Sequence, residues 1–165
     1  VKLLGFDIKT KHTEYMQYFL KYLAPDGYRN SLKIDLVNTP SKNDVYSPVY
    51  LADIDRYVVC QTIETMFSHK LVAINERYVK HKTIAGRDIY DIHHFFLYDY
   101  KYNSEIIEDL TGMKADKYLK FLREFIDKHL DLTLINEDLN LLLGYKEFNV
   151  IRKTLKLEVL NMLRS

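Results

Sequence analysis

Lys70 and Arg77 stand seven residues apart in the run Glu64 to Arg77, and after a short basic stretch the chain continues Arg87-Asp88-Ile89-Tyr90-Asp91. Two long basic side chains two helical turns apart share a face, and two carboxylates three residues apart can answer them from the next helix. Lys and Arg in a partly dehydrated cleft neutralise charge that builds on phosphoryl oxygens. The same four charges can equally form a structural ion-pair network that locks two helices together.

The helical wheel shows why these charges need explaining. At about 100° per residue, Ile63, Met66, Phe67, Leu71, Ala73, Ile74 and Tyr78 gather on one side, with Glu64, Thr65, Ser68, Asn75 and Glu76 mostly opposite. Lys70 and Arg77 fall within the apolar sector or at its margin, where a long stem can lie along the core and place its charge at the rim. In the next segment Ile89, Ile92, His93 and Phe96 form the inward stripe. Arg87, Asp91 and Tyr98 point elsewhere, Asp88 lies at the edge, and Arg87 reaches Asp91 at the i,i+4 spacing.

The Lys70-x6-Arg77 run followed by Arg87-Asp-Ile-Tyr-Asp91 resembles the second half of the AbiEii group of nucleotidyltransferase-like proteins, toxins of bacterial toxin–antitoxin and phage-abortive systems. The resemblance is good over residues 30 to 100 and fades in the C-terminal helices. It implies an intact protein that transfers a nucleoside monophosphate from a nucleoside triphosphate, with Mg²⁺, to an acceptor such as RNA or a protein, and an antitoxin as a partner. In that scheme Asp35 is a metal-site carboxylate. Lys70, Arg77 and Arg87 serve nucleotide and phosphate binding, while Asp88 and Asp91 position the basic groups or assist deprotonation.

Proteins of that superfamily begin with a Gly-Gly or Gly-Ser turn followed by an Asp-x-Asp pair on a strand, and a third acid comes from a neighbouring strand. Gly5-Phe6-Asp7 has one glycine and no second carboxylate two residues on, and the chain starts at Val1. The expectation is therefore an N-terminally incomplete protein or an excised domain, which by itself binds Mg²⁺-nucleotide weakly and transfers nothing. Asp35 suits the third acid. Ser31 to Val37 alternates Leu32, Ile34 and Leu36 against Lys33, Asp35 and Val37, the pattern of a half-buried strand, and a carboxylate on a rigid strand is a hard oxygen ligand.

Composition bounds these readings. With 165 residues and 47% hydrophobic content, the chain can build one good core, or one core plus a helical appendage. Its 24 basic and 23 acidic residues make no global electrostatic case for nucleic-acid or membrane binding. A local basic stretch from Arg77 through Lys80, His81 and Lys82 to Arg87 could attract phosphate. The single Cys60 excludes an internal disulfide and is expected to pack in the interior. No apolar run approaches the ~20 residues of a membrane span and no signal sequence is visible, so a cytoplasmic protein is expected. His93 and His94 point about 100° apart on a helix, so no zinc site is readable.

The elements expected to position these residues are a strand over 1–10, a helix over 13–23, a strand over 31–37, a polar loop over 38–48 and a short strand over 56–60. Helices follow over about 61–80, 87–101, 103–110, 114–130, 136–143 and 145–164, with breaks at Thr111-Gly112 and Gly144. Tyr118, Leu119, Leu122, Phe125, Ile126 and Leu130 make one core stripe; Phe148, Ile151, Leu155, Val159 and Leu163 make another. The fold class is α+β: residues 1–60 form the remaining part of a nucleotidyltransferase-like mixed sheet with helices, and residues 61–165 a helical bundle carrying the Lys/Arg and Arg-Asp-x-x-Asp motifs. A second function class stays open, a catalytically silent module whose helices engage an antitoxin or other protein.

Overall fold

A computed structural model of the protein describes residues 7–12, 17–26, 28, 30–36 and 40–164. The start of the expected first strand, residues 13–16 and position 37 lie outside the described residues. The fold is α+β, with strands β1 (Asp7–His12), β2 (Gln17–Lys21), β3 (Ser31–Asp35), β4 (Tyr46–Leu51) and β5 (Arg56–Gln61). The helices are α1 (Ile63–His81), α2 (Gly86–Leu97), α3 (Ser104–Thr111), α4 (Ala115–His129), α5 (Leu132–Leu139) and α6 (Tyr145–Met162). Two compact units divide between Pro40 and Ser41, ahead of the 60/61 boundary expected from the sequence.

In the first unit β1, β2 and β3 form an antiparallel sheet in that order. The helix expected over 13–23 is corrected here, because Gln17–Lys21 is the central strand of this sheet. Tyr18 and Phe19 favour a pleated surface, and pairing on both sides outweighs a helical apolar spacing. In β3, Leu32 and Ile34 remain exposed, so the strand is less sheltered than its alternation implies.

The second unit begins with a polar strap. Ser41 Oγ donates to Asp109 at 2.6 Å, Lys42 N–H donates to the same carboxylate, and Asn43 Nδ2 donates to the Glu105 carbonyl. Asp44 meets His69 Nε2 at 2.7 Å, while Val45 N–H donates to Thr65 Oγ1. This explains a departure from the helical wheel. Thr65 and Ser68, expected on the solvent side of α1, are buried because the strap covers one and Asn103 N–H donates to the hydroxyl of the other.

The segment expected as a polar loop up to Pro48 instead enters β4, which pairs with β5 as an antiparallel hairpin. A two-stranded ribbon is edge on both sides, which is where a proline such as Pro48 is tolerated. Cys60, expected in the interior, is half-exposed on this ribbon.

The helices enclose one core. Phe67 stacks on Phe95 with ring centroids 4.9 Å apart and meets Phe96 edge-on at 4.9 Å. Leu122, Ile126, Leu155 and Val159 from the two expected stripes are fully buried beside it. Gly112, at φ 69°, closes α3 in the left-handed conformation that favours glycine. Among the described residues no helix is long and apolar enough to cross a membrane.

Candidate functional site

Helix α1 starts at Thr62, whose hydroxyl accepts from Thr65 N–H and satisfies one of the unpaired donors of the first turn. Its length then carries Lys70 and Arg77 two turns apart to the same side. Helix α2 has no side-chain cap from its own N-cap residue, Ala85. The cap comes from α5: Asp138 Oδ2 accepts from Gly86 N–H at 2.6 Å.

The approach of the two helices is close at that point. A Cβ on Gly86 would stand 3.0 Å from the Leu134 carbonyl oxygen and 3.1 Å from Ile135 Cα, both backbone atoms. Gly86→Ala should therefore separate α2 from α5 and lower stability by about 1–3 kcal/mol, read by denaturant unfolding. An unchanged midpoint would show that the contact is not held so tightly. This docking sets the position of Asp88, two residues further on.

Asp88 is the buried centre of the charge cluster, its side chain only 9% exposed. Arg77 Nε donates to Asp88 Oδ2 at 2.7 Å, and Lys70 Nζ lies 3.8 Å from Asp88 Oδ1. Lys70 Nζ donates to Asp91 Oδ2 at 2.6 Å. The two oxygens of Asp88 thus face two different cations, and its place in the first turn of α2 adds the favourable field of the helix N-terminus. Asp91 is half-exposed and holds Lys70 at the rim.

The structure assembles Lys70, Arg77, Asp88 and Asp91, and it corrects two expectations. Asp88 is inside rather than at the edge. Arg87 does not reach Asp91, whose nearer partner is Lys70; Arg87 is exposed and has no ion pair among the described residues. Asp35 belongs to the other compact unit, at the exposed end of β3, and its carboxylate pairs with Lys33 Nζ at 2.9 Å.

The two cations of the cluster are held by acids of different burial. Arg77 gives its Nε donor to the buried Asp88, while its own side chain is about one-third exposed. Lys70 is about one-third exposed and has three ammonium protons, only one of which Asp91 engages. It can still donate to a phosphate. A lysine held by a carboxylate while it contacts phosphates is the arrangement that protein kinases use.

This cluster does not fit a metal ion. Both carboxylates already face ammonium or guanidinium groups, and among the described residues no group of three His, Cys, Asp or Glu side chains could hold one.

Sequence reasoning missed Asp138, the cap of α2, which lies 52 residues from its partner. It also missed the pair of His93 and Glu158, joined at 2.6 Å between α2 and α6. The inward position of His93 was visible, but its acid partner has no local signal. On the same helix Tyr90 donates its hydroxyl to Glu147 at 2.8 Å. Burial, followed by that carboxylate, pushes its pKa up to about 12.

An α+β protein in which two packed helices hold lysine and arginine against two aspartates is the class that fold and site define. Residues 3–159 match the family described as "Nucleotidyl transferase AbiEii toxin, Type IV TA system", and the chain belongs to it. No curated protein and no solved structure matches the chain.

Proposed function

We propose that the intact protein transfers a nucleoside monophosphate from a nucleoside triphosphate to an acceptor hydroxyl, RNA being the favoured acceptor, and that Lys70 is the phosphate contact. The observation that carries this reading is the asymmetry of the charge cluster. Arg77 is held by the buried Asp88, and Lys70 by the half-exposed Asp91 at the rim, with ammonium protons to spare.

In the reaction the acceptor oxygen bonds to the α-phosphorus, the bond from that phosphorus to the bridging oxygen breaks, and pyrophosphate leaves. Negative charge grows on the phosphoryl oxygens, where the Lys70 ammonium stabilises it. Asp91 orients Lys70 and is the half-exposed carboxylate available to take the acceptor's proton. Asp88 and Arg77 fix the spacing of α1 and α2, and Arg87 adds an exposed positive charge beside the site. Asp35, in the other compact unit, would offer one carboxylate to a Mg²⁺ ion; one carboxylate does not define a metal site, so no step is assigned to the metal.

Calorimetric titration of the protein with a nucleoside triphosphate and with the nucleoside alone tests the phosphate contact. The triphosphate should bind more tightly by at least tenfold, with affinity falling as salt rises. Equal affinity for the two ligands would contradict it.

The second reading, a silent module that engages an antitoxin, draws on one observation. Tyr46, Tyr50, Tyr57 and Val59 are exposed on one face of the β4–β5 ribbon, and exposed apolar patches mark partner surfaces. On that reading Lys70→Met would leave the biological effect of the protein unchanged.

A further inference from the structure

We propose that the exposed stripe of α2, continued by Tyr100, is a shelf on which the unpaired bases of an RNA acceptor stack. This rests on the nucleotidyl-transfer reading and extends it to the acceptor. Arg87, Asp91, His94 and Tyr98 follow one another at spacings of four, three and four residues. At about 100° per residue they stay within a sector of roughly 60°, a single line along the helix. Asp91, which holds Lys70, stands in this line, and Tyr98 lies seven residues beyond it, about 10 Å along the axis at ~1.5 Å per residue.

The far end of the stripe is aromatic and exposed. Tyr98 is 60% exposed and Tyr100 37%. The His94 and Tyr98 rings lie 4.5 Å apart. Tyr98 and Tyr100 are near-parallel, 19° between planes with centroids 6.2 Å apart. Asp99, at φ 56°, reverses the chain after α2 and brings Tyr100 alongside.

Tyr100 is also braced from beneath. Its ring meets Phe95 at 6.1 Å, and Phe95 stacks on the fully buried Phe67. The rings are therefore ordered before any ligand arrives, which lowers the entropy lost on binding.

The chemistry of the line favours bases over a protein partner. Its four members are charged groups and rings, with Leu97 exposed beside them. Ring faces receive any nucleobase, and each stacked base contributes measurably to single-strand binding. Arg87, exposed and without an ion pair among the described residues, supplies positive charge for the backbone at the end nearer Lys70. A strand whose reacting end lies at Lys70 would lay its neighbouring bases on Tyr98 and Tyr100.

The test is fluorescence anisotropy of the full-length protein with a labelled single-stranded RNA and with the same sequence as a duplex. Single strands should bind more tightly than the duplex. Tyr98→Ser should weaken single-strand binding about tenfold, whereas Tyr98→Phe, which keeps the ring, should stay within about twofold. Both variants should bind nucleoside triphosphate like the unmodified protein, because Tyr98 lies outside the Lys70 cluster. Duplex preference, or a Tyr98→Ser protein with undiminished single-strand affinity, would overturn the shelf. Tyr98-dependent RNA binding in a protein that binds no triphosphate would support the shelf and sink the transfer reading instead.

Discussion

Lys70→Met is expected to leave the protein folded and to cut nucleotidyl transfer by about 10²- to 10³-fold, the loss usual when one donor to developing oxyanion charge is removed. Methionine keeps an unbranched stem of similar length, so packing along α1 changes little. The acids left behind can be accommodated. Asp88 keeps Arg77 at 2.7 Å, and Asp91 is exposed enough for water to solvate it. Stability should therefore move by less than about 1 kcal/mol. Thermal unfolding and turnover measured on one preparation check both halves. A large fall in melting temperature would show that Lys70 is structural, and unimpaired turnover would show that it does not contact phosphate.

Arg77→Met should behave in the opposite way. Removing the guanidinium strands a carboxylate that is buried, with Lys70 no closer than 3.8 Å. Breaking one side of such a pair costs about 3–5 kcal/mol, which for a chain of this size lowers the melting temperature by roughly 10 °C. The cause can be isolated with a second change. Asp88→Asn in the Arg77→Met background removes the orphaned charge and keeps the shape of the side chain, so much of the lost stability should return. If the double variant is as unstable as Arg77→Met alone, the packing of the arginine stem accounts for the loss rather than the charge of Asp88.

These opposite expectations were only partly visible in the sequence. That Lys70 and Arg77 interrupt an apolar face is plain from the spacing on α1, and so is the presence of two acids on the next helix. The pairing between them is not. Local rules couple Arg87 to Asp91 at i,i+4, but a tertiary partner, Lys70, takes Asp91 at 2.6 Å. The burial of Asp88 depends on where α5 holds the start of α2, through a contact between Gly86 and Asp138 that no local pattern announces.

The same contrast holds for the fold. The stripes on α4 and α6 and the stop at Gly112 follow from helical periodicity and from the need for a left-handed residue. Gln17–Lys21 misleads because five residues rich in aromatics satisfy a helical spacing and a strand equally well, and only pairing with β1 and β3 decides. The strand at Tyr46–Leu51 is hidden by Pro48, which is acceptable only because the hairpin leaves its edges unpaired.

The central claim is that the protein moves a nucleoside monophosphate, with Lys70 steadying the phosphoryl charge. Incubating the full-length protein and cellular RNA with a nucleoside triphosphate labelled at the α-phosphate, and in parallel with one labelled at the γ-phosphate, tests it most directly. The account predicts Lys70-dependent label on the acceptor from the α-labelled nucleotide and none from the γ-labelled one. Label arriving from the γ-position would mean phosphoryl rather than nucleotidyl transfer. Equal α-label transfer by the unmodified and Lys70→Met proteins would remove Lys70 from the chemistry.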